Sequence, residues 1–89
     1  MLFSITYKTF PSTRDVGLER FKKTGGPPPA GVTNLGRWHY ADGSGGVVIC
    51  ETEDASALAA WTHQWTDVLS FDMHPVLTDE QFAKVIASV

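Results

Sequence analysis

Apolar and polar positions alternate from the start of the chain. In LFSITYK, residues 2–8, Phe3, Ile5 and Tyr7 fall on one face of an extended segment. The β-branched and aromatic content there predicts a strand, and Pro11 ends it. Ser12 or Thr13 is placed to cap a helix with Asp15 in its first turn and Leu18 and Phe21 as its apolar stripe. Lys22 and Lys23 suit the last turn and Gly25 the position just beyond it. Residues 32–40 (VTNLGRWHY) and 46–52 (GVVICET) read as two strands joined through ADGSG, a hairpin signal. Glu53 and Asp54 then open a second helix, with Thr52 as its cap. Leu58, Trp61, Thr62 and Trp65 recur at the helical period and form its buried face. Residues 68–77 (VLSFDMHPVL) alternate again as a fourth strand, with Phe71 and Met73 toward the core and Asp72 and His74 away. Pro75 has no N–H to give a ladder, which places this strand at an edge or at a bulge. Thr78 and Gln81 have the spacing of a capping box, ahead of a stripe of Phe82, Val85, Ile86 and Val89.

The order β-α-β-β-α-β-α predicts an α+β domain of the ferredoxin-like, split βαβ kind. It has a four-stranded antiparallel sheet and an added C-terminal helix. Two helices cover one face of that sheet. The other face is left to the last helix and to a second subunit. A chain of 89 residues buries only about 60–65% of its unfolded surface, which adds to the case for a homodimer packed sheet against sheet. No repeat or linker divides residues 1–89, so one domain is expected.

Composition narrows the function classes. Apolar residues make up 43% and charged residues 19%, an ordinary globular balance. Seven basic against ten acidic residues disfavour nucleic-acid binding, which needs a basic patch. No apolar run approaches the roughly 20 residues of a membrane span. One cysteine, Cys50, excludes an intrachain disulfide and fits a reducing compartment, so a soluble cytoplasmic protein is expected.

GRWH at Gly36–His39, then Asp42-Gly43, and the later W…WxDVLxFxxxPVLTDEQ from Trp61 to Gln81 form a pattern over nearly the whole chain. In it the chain resembles the domain of unknown function 3303 family. That family is similar to the dimeric α+β barrel group, which includes small monooxygenases, isomerases and proteins without known activity. The resemblance implies the fold and the dimer, and no particular activity.

Among single residues, His39 is the first candidate for chemistry, as an acid, base or metal ligand near neutral pH. Strand alternation puts Arg37 on its face, where an Arg–His pair suits an anionic ligand, and Trp38 on the other. A histidine bonded beside the hairpin to Asp42 or a carbonyl is the plainer alternative. Glu51 shares a face with His39 if the hairpin register is even and faces away if it is odd. Trp61 and Trp65 are core residues or pocket walls, roofed by Trp38 or Tyr7. The spacing of His39, His63, His74 and Glu51 offers no pair at metal-ligand distance on one element, and no metal or cofactor is expected. Cys50 reads as a core residue. Residues 25–31 (GGPPPAG) read as a stiff connector.

Three functional readings follow from this inventory. One is a non-catalytic or small-ligand-binding protein contacting its ligand through Tyr7, Arg37, Trp38, His39, Glu51, Trp61 and Trp65. The other is a cofactor-independent isomerase or monooxygenase with His39 as acid/base. A protein-interaction module using the proline loop and a sheet edge is a third alternative.

Overall fold

The computed structural model describes all residues, 1–89. β1 (Leu2–Thr9) lies inside the sheet. It pairs with β3 (Gly45–Thr52) on one side and β4 (Leu69–Val76) on the other. β2 (Val32–His39) pairs with β3, giving the order β2-β3-β1-β4, antiparallel throughout. α1 (Arg14–Thr24) follows β1, α2 (Ala55–His63) follows β3, and α3 (Asp79–Ala87) ends the chain. This is the ferredoxin-like α+β arrangement. Pro75 sits on an edge strand, where a missing N–H is tolerated. No helix is long and apolar enough to cross a membrane.

The inner face of the sheet carries Ile5, Val48 and Cys50, and Leu58 and Trp61 of α2 close over them. Ile5, Cys50 and Leu58 are almost completely buried. Each fully buried aliphatic side chain contributes about 1.5–3 kcal/mol, so this small cluster is the main source of stability. α1 sits differently. None of its residues is buried, and its apolar Leu18 and Phe21 stay partly exposed above the sheet.

Local chemistry explains the element ends. Gly25 takes a left-handed conformation (φ 72°) and its N–H reaches the Phe21 carbonyl at 2.7 Å, closing α1. Thr13 stands at the α1 cap position without a capping bond, and its hydroxyl donates to the Val68 carbonyl at 3.4 Å instead. α2 is capped by Asp54 rather than Thr52. Its carboxylate accepts from the Ser56 and Ala57 N–H groups at 2.9 and 3.2 Å. Thr52 is buried and accepts the Asp54 N–H at 2.9 Å while donating to the Gly31 carbonyl at 2.7 Å. That pulls the helix start two residues on. α2 also ends at His63, so Trp65 reaches the core from the turn that follows. The capping box of α3 forms, with Thr78 Oγ1 accepting the Gln81 N–H at 3.2 Å and Gln81 Oε1 the Thr78 N–H at 2.9 Å. Yet every residue of α3 is exposed, and the molecule measures 48 × 28 × 18 Å. This helix leaves the outer face of its own sheet open.

Candidate functional site

Three residues form one row across the sheet: Tyr7 of β1 pairs with Gly46 of β3, which pairs with His39 of β2. Gly46 has no side chain, so the Tyr7 ring crosses above β3 and its hydroxyl meets His39 Nδ1 in a hydrogen bond. A Cβ at Gly46 would strike the Tyr7 ring and the Trp38 carbonyl. The pair is thus built by register plus one glycine. Burial pushes the Tyr7 phenol above its ordinary range, with Arg37 opposing, so Tyr7 keeps its proton at neutral pH.

Beside this pair a cleft of about 340 Å³ opens between α1 and the inner face of the sheet. Phe21, Leu18, Trp61, Trp65, Val68, Leu69 and Phe71 form its apolar walls. Phe21 meets His39 edge-on at 5.4 Å between ring centres and Trp65 at 6.4 Å. Tyr7, Thr9, Arg14, Arg37, His39 and Tyr40 supply its polar contacts. A limited set of polar groups in a mostly apolar concavity is the usual make-up of a small-molecule site.

Arg37 shares the face of His39, but its fork is directed elsewhere. Nη1 donates to the Gly26 carbonyl at 2.7 Å and Nη2 to the Gly25 carbonyl at 2.8 Å. It therefore clasps the C-terminal end of α1 and the start of the proline loop. A second arginine holds the other side of the helix: Arg20 makes a bidentate pair with Asp67 at 2.7 and 2.8 Å and also donates to the Gln64 carbonyl. The Arg20 guanidinium also covers Trp65, 5.3 Å from the ring centre.

Two residues expected at the site lie on the opposite face of the sheet. Trp38 alternates away from His39 and is 58% exposed. Glu51 is five residues from Gly46 on β3, so the odd register separates it from His39. Its carboxylate takes the Met1 ammonium at 2.6 Å together with Glu53. His39 bonds to Tyr7, whereas Asp42 accepts from the Ser44 N–H and hydroxyl at 3.0 and 2.7 Å. His74 pairs with Asp72 on the outer face at 3.1 Å, and His63 sits on the Ala59 carbonyl of its own helix. Burial raises the Cys50 thiol above its usual range, in keeping with a core residue.

The family model described as a domain of unknown function (DUF3303) matches residues 1–89, the full length. The chain belongs to that family. No curated protein matches it in sequence. Among solved structures it is similar to one described as "Putative antibiotic biosynthesis monooxygenase from Nitrosomonas europaea". That likeness has 15% identity and a TM-score of 0.51 over 88% of this chain and 100% of that one. It is also similar to an uncharacterized NIPSNAP domain protein from Burkholderia xenovorans, at 14% identity and a TM-score of 0.47 over 89% of this chain and 97% of that one. At such identity the likeness to the Nitrosomonas chain concerns the fold.

Sequence reasoning missed several residues of this family member's cleft. Leu18 and Phe21 read only as a helix stripe and Phe71 as core, Arg14 carries no sequence signal, and all four line the cavity. The one available signal was the thin stripe of α1. A helix with only Leu18 and Phe21 facing inward is too sparsely apolar to seal a sheet. The Tyr7–His39 bond had no signal at all, because it depends on two strand registers at once.

Proposed function

We propose that this protein binds a flat, largely apolar small molecule in the cleft between α1 and the sheet. The observation that carries the reading is the cleft itself, about 340 Å³ with aromatic walls under a helix that buries none of its residues. A core meant only for stability would close such a space, since unfilled apolar volume costs packing energy. Titration of the ¹⁵N-labelled protein with 2-naphthylmethanol tests it. Shifts centred on Phe21, Trp65 and Phe71 are expected, and shifts confined to the outer face, or none, reject the reading.

A cofactor-independent enzyme is the second reading, favoured by the Tyr7–His39 pair at the edge of the cleft. A hydrogen-bonded phenol and imidazole can move a proton without a metal or cofactor. The Nitrosomonas relative's description as a monooxygenase agrees with this reading only through shared fold. The interaction-module alternative has less support, because Arg37 ties down the start of the proline loop.

The working unit in this reading is a homodimer. Trp38, Val47 and Ile49 leave apolar surface on the outer face, and the stripe of α3 is exposed as well. Light scattering at micromolar concentration should give twice the chain mass, and a monomer throughout that range would reject the dimer.

A further inference from the structure

The cleft's charge runs against that of the whole chain. Ten acidic and seven basic residues give a formal net charge of -3. Yet the residues lining the cleft include Arg14, Arg37 and His39 and no aspartate or glutamate. The groups around His39 are the Tyr7 hydroxyl from β1, the Phe21 ring from α1, and Arg37 and Tyr40 on its own side of the hairpin, with Gly46 beneath. Asp42, the acid of the same hairpin, is engaged by Ser44. Asp15 pairs with Arg14 at 3.4 Å, a solvent-exposed contact that is weak in water. The basic residues of the cleft lining therefore favour negative charge, and no carboxylate of the chain lines the cleft.

The Tyr7–His39 bond adds a condition on how that charge is met. A phenol carries one proton and a neutral imidazole one N–H. When the Tyr7 hydroxyl donates to Nδ1, the imidazole proton sits on Nε2, and the pair offers a single donor to anything else. Adding a proton at Nδ1 reverses the bond: Nδ1–H donates to the Tyr7 oxygen, and the Tyr7 O–H is released. The pair then offers two donors, Nε2–H and Tyr7 O–H, and a positive charge. An alcohol gains little from this change. A carboxylate, with two acceptor oxygens and one negative charge, gains on both counts.

We propose that the ligand is an aromatic carboxylate, whose binding in the cleft carries one proton from solvent onto His39 Nδ1 and turns the Tyr7 hydroxyl from His39 to the ligand. No covalent bond to the ligand forms or breaks; solvent supplies the proton, and release of the ligand returns it. This rests on the cleft being a small-molecule site and deepens that reading.

The test compares 2-naphthoate with 2-naphthylmethanol, equal in ring system and different in charge. Calorimetry at pH 7.5 in two buffers of different ionisation enthalpy reads affinity and proton uptake together. Naphthoate is expected to bind at least tenfold more tightly, with between half and one proton taken up per site. His39→Gln should abolish the uptake and most of the preference. Tyr7→Phe should lower the preference for naphthoate over the alcohol at least threefold. If His39→Gln fails to fold, imidazole ¹⁵N spectra of the unaltered protein decide. They should show the proton on Nε2 when free and on both nitrogens with naphthoate, and a free-state proton on Nδ1 overturns the proposal. Equal affinities, or a preference without proton uptake, also overturn it while leaving the cleft as a binding site. Failure of both compounds to bind removes the cleft reading and the proposal together.

Discussion

The Arg37 guanidinium lies over the Phe21 ring, 5.0 Å from its centre, while its fork holds the two carbonyls just beyond the same helix. One side chain thus fixes both the end of α1 and the aromatic that edges His39. Lysine keeps the charge but not the planar fork. Arg37→Lys is expected to cost about 2 kcal/mol, from two charged hydrogen bonds and the stacked face. Urea unfolding measures it, and a loss below about 0.5 kcal/mol would contradict the clasp.

Gly46 keeps open the space that the Tyr7 ring occupies above β3. Gly46→Ala drives a methyl into the Tyr7 ring and the Trp38 carbonyl, and the second is backbone that cannot swing aside. A loss of roughly 2 kcal/mol is expected, as for other overpacked positions. The imidazole signals of His39 should shift with it. An unchanged His39 spectrum would mean that Tyr7 reaches its partner by another path.

Thr78→Ala removes the capping box of a helix that buries nothing. The cap contributes about 1 kcal/mol, a roughly fivefold rise in opening of α3. Amide exchange across residues 79–87 should quicken by that factor, while the unfolding midpoint stays nearly fixed. A midpoint that falls by several degrees would show α3 folding together with the sheet.

Asp67 is held below the usual carboxylate range by its hydrogen bonds with Arg20. A carboxyl with a depressed folded pKa stabilises above its unfolded value, about 3.9, and that stability fades as pH falls through the folded value. Acid unfolding below about pH 4 should therefore be shallower in Asp67→Asn than in the unaltered protein. Identical acid limbs would show that this exposed pair contributes nothing measurable.

Much of the fold was legible because it is local. Alternation put Phe3, Ile5 and Tyr7 on one face and Arg37 with His39 on another strand's inner face, and the caps at Gly25 and Thr78 sit where their residue types suggest. What was not legible is non-local or set by competing bonds. The hairpin register, which removes Glu51 from the site, depends on a turn in which Gly43 is left-handed and Asp42 binds Ser44. Arg37 looked free to hold an anion because carbonyls carry no sequence signature. Thr52 looked like a cap, but its hydroxyl was claimed by Gly31 and left the role to Asp54.

The two edges of the sheet are protected by different devices. On β2 the register slips between Asn34 and Gly36, leaving Leu35 in a bulge, and Asn34 Oδ1 accepts the Gly36 N–H at 3.1 Å. On β4, Pro75 lacks an N–H and the polar Asp72–His74 pair stands nearby. Neither border offers a long, regular row of unpaired amides to an incoming strand. Open-ended stacking of copies into fibrils is disfavoured at both borders, and association is steered to the broad faces, where it closes on itself.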